Sequence, residues 1–210
     1  LQGSWQQKRA QLPALIFNAT LGGDEYRALW RATPAVADYP AVSSSESVAA
    51  LLAINQLVLR WLSGDYQADN RGFELLLSEV AGGDAGVLLK ALVRQRDWLA
   101  SADGLLQQRM GRGPLCAPGI RHAAADILPT VIRKYFIGGI QPRAALMSRR
   151  LYALFPPVAE LEDELEGTLP DNYRAWMDAR NAMLDAVTAA PRRHVEQLKA
   201  IQQPCGASPQ

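Results

Sequence analysis

The stretch SVAALLAINQLVLRWLSG, residues 47–64, decides the fold class. Val48, Leu51, Leu52, Ile54, Leu57, Val58, Leu59, Trp61 and Leu62 leave only a narrow polar stripe when the segment is wound as a helix. A helix that is apolar nearly all round belongs at the centre of a bundle. Gly64 supplies the stop, because glycine takes the left-handed C-cap without a Cβ clash. Ahead of it, Ser43 and Glu46 stand three residues apart and predict a capping box. Asn55, Gln56 and Arg60 interrupt the run, which falls short of the ~20 apolar residues of a membrane span.

Helix signals continue on both sides. Ala, Leu, Arg, Gln and Glu dominate, and all favour helices. A first helix is expected over about residues 3–19, with Pro13 kinking it or starting a second piece. Asp24 caps a short helix, and NRGFELLLSEVAGG forms another. Asp84 starts a longer one reaching Met110, with Leu88, Ala91, Leu92, Trp98, Leu99, Ala102, Leu105 and Leu106 on its apolar face. After the cysteine loop, residues 121–157 read as one or two helices broken or kinked at Pro129 and GGIQP. PPVAELEDELEGTLP then reads as a short acidic helix opened by proline. Asp171 caps a helix that ends before Pro191, and Pro191 opens the last one. No alternating strand pattern and no Asn-Gly or Asp-Gly hairpin occurs.

Bulk properties narrow the functions. The chain has 210 residues, 49% hydrophobic and 20% charged, with a net charge of +1. That balance suits a globular core and gives no field for holding nucleic acid or anionic lipid. The chain opens on Leu1 with a helical pattern already running, so it is expected to be a fragment of a longer precursor. The expected architecture is all-α: a kinked multi-helix bundle forming one domain over 1–203, with a flexible tail at 204–210.

The candidate sites are sparse. Cys116 and Cys205 fit a disulfide, two free thiols, or a metal set with His122 and His194. Metal fits least, because a helix would hold His194 and Cys205 ~16 Å apart. A disulfide needs only that the two segments meet, and would imply an oxidising compartment. The two histidines stand in no G-x-S-x-G or H-E-x-x-H setting, so His194 is expected to be exposed or capping. GGDAGVLLK lacks the Gly-Lys-Ser/Thr ending of a phosphate loop and reads as one helix stopping and another starting. Glu160, Glu162, Asp163, Glu164 and Glu166 read as a solvated face, with Arg143, Arg149 and Arg150 in place for surface ion pairs. Arg180 falls on the apolar stripe of Tyr173, Trp176, Met177, Leu184 and Val187, where it must snorkel, pair with an acid or face a groove. Gly138 and Gly139 allow a close backbone approach beside Pro142. Arg180, Trp176, Tyr173, Gly138 and Gly139 are the groove candidates.

Four stretches together carry a family resemblance: QQKRAQLPALIFNA, RQRDWLA, the loop cysteine followed by ILPTVIRKYFIGGIQP, and HVEQLKAIQQPC. The chain resembles the C-terminal part of an uncharacterised family of predicted gammaproteobacterial lipoproteins, a domain of unknown function. The resemblance implies an upstream lipid anchor, the periplasmic side of the envelope and a Cys116–Cys205 disulfide. It carries over no activity and no functional residue. The expectation is therefore a non-enzymatic binding or scaffolding module without cofactor or metal. Its partner would be a protein or small ligand, not nucleic acid, and it would meet the membrane only through that anchor. The alternative is an envelope hydrolase in which Arg180, His194 or the acidic run converge.

Overall fold

A computed structural model describes residues 2–32, 39, 45–67 and 69–206. They form helices α1 (Gln2–Ala19), α2 (Asp24–Leu29), α3 (Glu46–Ser63), α4 (Asn70–Ala81) and α5 (Ala85–Met110), then α6 (Ala123–Val131), α7 (Gln141–Glu164) and α8 (Asp171–Gln202). A nine-residue π-helix, Ile132–Ile140, joins α6 to α7. The all-α class is as expected. The one departure among the described residues is a two-residue ladder, β1 (Cys116–Ala117) with β2 (Ile120–Arg121), turned by Gly119 at φ 76°.

The described residues gather into two compact units, and the chain passes between them within α5, α7 and α8. The first comprises Leu1–Leu89 with Arg149–Ala179, the second Lys90–Ser148 with Arg180–Gln210.

In the first unit, α3 runs as predicted and stops at Gly64, which adopts φ 102°. Its start differs: Ser45 occupies the N-cap without a side-chain bond, and Ser43 lies outside the described residues. The expectation of a helix buried all round is corrected. Ala50, Leu51, Ile54 and Val58 are buried, whereas Leu52 and Leu59 face solvent. Composition sets what a helix is able to bury, but its neighbours decide which face is covered. GGDAG proves to be a packing device. A Cβ on Gly86 would lie 2.2 Å from the Trp30 carbonyl oxygen, and one on Gly83 would lie 2.4 Å from Leu29. At Gly86 only glycine lets the two backbones approach so closely, and at Gly83 its missing side chain leaves room for those of Leu29 and Ser47.

In the second unit, Leu99, Ile132, Phe136, Ala190 and Leu198 form one apolar cluster. Leu115, Ala125 and Ile201 form another, with Cys116 and Cys205 packed against it. The two cysteines are bonded, Cα to Cα 5.1 Å across 89 residues. Trp98 and Leu105, assigned to the apolar face of α5, are instead exposed, while Gln95 is buried.

Several prolines expected to delimit helices lie inside them. Pro156 and Pro157 sit within α7, so no separate acidic helix starts there. Pro191 sits within α8, so the C-terminal segment is one helix and not two. Each such proline removes one backbone donor and crowds the carbonyl four residues back. Side-chain donors also meet carbonyls close to these prolines. Arg193 donates to the Ala186 carbonyl at 3.2 Å, and Asn55 to the Pro157 carbonyl at 2.9 Å. Ahead of Pro142 the wider π turns replace the expected break, and the Gln141 N–H reaches back five residues to Phe136. At the end, Gln203–Cys205 make a 3₁₀ turn, and 207–210 lie outside the described residues.

Candidate functional site

The first unit contains an aromatic cavity of about 520 Å³. Its rings come from three helices. Phe17 lies near the end of α1, Tyr26 and Trp30 are one turn apart on α2 and its C-cap, and Tyr173 and Trp176 are one turn apart on α8. Spacings of three and four residues place each pair on one helix face. Trp30 and Trp176 meet edge to face at 5.4 Å, as do Phe17 and Tyr173. Edge-to-face packing brings the positive ring edge to a neighbour's negative face and holds the wall firm. Gly22 keeps the space open, since a Cβ there would lie 2.9 Å from Phe17. Asn18, Asn172 and Arg27 add polar groups, and Arg27 is tied to Asp24 at 2.6 Å.

A buried carboxylate lies behind the rings. Tyr173 donates its hydroxyl to Glu162 at 2.7 Å, and Tyr26 donates to the same oxygen at 3.4 Å. Burial pushes the Tyr173 hydroxyl far above the ordinary tyrosine range, and the neighbouring Tyr26 and Glu162 push it further. The hydroxyl therefore stays protonated and serves as a donor, not as a base.

Two sequence expectations are corrected in this unit. Glu162 belongs to no solvated face: it is 4% exposed. Arg150 is no surface cation either. It is buried and donates to Asp84 through Nε at 2.9 Å and Nη2 at 2.5 Å, and through Nη2 to Ser47 Oγ at 3.2 Å. Tyr39 donates to the same Asp84 carboxylate.

The second unit has a smaller cavity, about 210 Å³. Gln95, Trp98, Leu99 and Ala102 line it from one face of α5, Gly139 and Ile140 from the end of the π-helix, Arg143 from α7 and His194 from α8. His194 was expected to be exposed or capping. It is buried in mid-helix, with Nδ1 2.6 Å from Asp103 Oδ1 and its ring 5.0 Å from that of Phe136. No sequence pattern singled out Asp103, which lies 91 residues from His194, so the pair was missed.

The groove candidates thus separate. Tyr173 and Trp176 line the aromatic cavity, and Gly139 lines the smaller one. Arg180 and Gly138 line neither. Arg180 is buried, with Nε and Nη2 donating to Asn181 Oδ1 at 3.1 and 2.9 Å. His122 is the exposed N-cap of α6. No group of three or more His, Cys, Asp or Glu suited to a metal occurs among the described residues. No helix among them is long and apolar enough to cross a membrane.

The family described as Protein of unknown function (DUF3080) matches residues 1–209, and the chain belongs to it. No curated protein and no solved structure matches.

Proposed function

For a chain that belongs to an uncharacterised family, we propose the role of a non-catalytic binding module of the bacterial envelope, with its ligand in the aromatic cavity. The observation that carries this reading is the convergence of Phe17, Tyr26, Trp30, Tyr173 and Trp176 on one cavity. Rings offer flat, amphipathic contact area, and the Asn18 and Asn172 amides offer donors and acceptors beside it. A neutral ligand with a flat apolar face and a rim of hydroxyls uses both, and a sugar ring has that chemistry. The Cys116–Cys205 disulfide supports an oxidising compartment. The resemblance to gammaproteobacterial lipoproteins favours the periplasmic side, with membrane attachment through an upstream lipid anchor.

The test is a titration with neutral mono- and oligosaccharides, followed by tryptophan fluorescence and calorimetry. We expect saturable binding, weakened about tenfold or more in Trp176→Ala with helicity unchanged. Absence of binding across the panel, or binding indifferent to that substitution, would overturn the reading.

One observation favours a second reading, an envelope hydrolase: the His194–Asp103 pair orients an imidazole as a general base requires. Turnover of an ester or amide substrate that disappears in His194→Ala would establish it.

A further inference from the structure

The smaller cavity, in the second unit, has the makings of a separate ligand site. We propose that it binds a small uncharged phenol. Its size sets the first limit. A cavity of about 150 Å³ accommodates benzene, so about 210 Å³ holds one ring with a substituent. The walls agree, since Ala102, Leu99 and Ile140 are apolar and Ala102 is small. The π-helix contributes the rest of the room. A Cβ at Gly139 would meet nothing within 4 Å, and π turns recur where helices carry functional sites.

Two polar groups then choose the ligand. Gln95 lines the cavity, is only 6% exposed, and its Oε1 has no hydrogen-bond partner. A buried amide oxygen left unpaired costs free energy that a ligand donor recovers. His194 also lines the cavity, and Asp103 engages its Nδ1, so Nε2 is the ring atom left for a ligand. A hydroxyl both donates and accepts. It therefore suits the amide in either orientation and the imidazole in either protonation state. Arg143 on the same cavity disfavours an amine, which would bring a second positive charge.

The experiment titrates the oxidised protein with p-cresol, toluene and benzoate, read by calorimetry and by the nitrogen shifts of the His194 imidazole. p-Cresol should bind one to one, about tenfold or more tighter than toluene, and should move the Nε2 resonance. Gln95→Leu should erase the preference for cresol over toluene. Ala102→Leu should fill the cavity and abolish both, whereas Trp176→Ala, in the other cavity, should leave cresol binding intact. Should Gln95→Leu fail to fold, the cresol–toluene comparison and Ala102→Leu still decide. Equal affinity for toluene and cresol, tighter binding of benzoate, binding that survives Ala102→Leu, or no saturation with cresol would each overturn the proposal.

Discussion

The two units are built of the same material, helices rich in Ala and Leu, yet they are held by different means. The first buries charge and matches it over long sequence separations. Arg150 meets Asp84 66 residues away, and Tyr26 meets Glu162 136 residues away. The second also matches His194 with Asp103 across 91 residues, but it closes its chain covalently, Cys116 to Cys205, with an apolar cluster around the link. A disulfide restricts the unfolded chain and tolerates loose packing beside it. A buried ion pair tolerates almost none, since losing one partner strands the other. Single side chains therefore matter in both units, and redox state in the second.

The largest effect should come from the covalent link. Loop closure over 89 residues corresponds to about 4–5 kcal/mol. Cys116→Ser with Cys205→Ser should lower the unfolding free energy by an amount of that order, and the denaturant midpoint with it. Hydrogen exchange should locate the loss in residues 115–128 and 195–205 and leave α3 protected. Loss of protection in α3 as large as that around Leu115 would break the comparison.

Next comes Asp84→Ala. It leaves the guanidinium of Arg150, 8% exposed, without its carboxylate and removes the bond from Tyr39 to that carboxylate. Removing one partner of a buried pair costs about 3 kcal/mol or more. Arg150→Met in the same chain should recover part of that loss, because no charge is then stranded. A double variant as unstable as the sum of the single ones would show that the pair acts as two separate contacts.

How far the sequence was legible follows from the same contrast. Local patterns read well: α3 and its stop at Gly64 followed from composition and one glycine. Tyr173 and Trp176 were placed on one face of α8 by their spacing, but their cavity partners were not. Phe17, Tyr26 and Trp30 lie on other helices, and no periodicity links them. Glu162 and Arg150 were hidden inside charge runs. A finer reading of helical phase held a signal. Glu162 stands four residues from Val158 and three from Leu165, and Arg150 three from Met147 and four from Leu154, all buried. A lone charge on such a stripe requires a buried partner. His194–Asp103 spans 91 residues, and nothing local marks it. The prolines misled because the rule against them counts one helix alone, while a long helix packed into a core survives the loss of single backbone bonds.

The smallest effect sharpens the comparison from the side of pH. Tyr173→Phe removes the donor to Glu162 and should cost about 1–2 kcal/mol near neutrality, with a local loss of protection in the first unit. The wild type should also respond to alkali. The folded state holds the Tyr173 proton more tightly than the unfolded chain does, because burial, Tyr26 and Glu162 all raise its pKa. Stability from this group is complete below the unfolded tyrosine pKa of about 10 and declines as pH rises beyond it. Denaturant midpoints measured between pH 8 and 11 should therefore fall more steeply for the wild type than for Tyr173→Phe. The two proteins differ only in this hydroxyl, so the difference in slope reports on it. Parallel curves would mean that Tyr173 ionises in the folded state as freely as in the unfolded chain, and that the first unit does not depend on the proton it shares with Glu162.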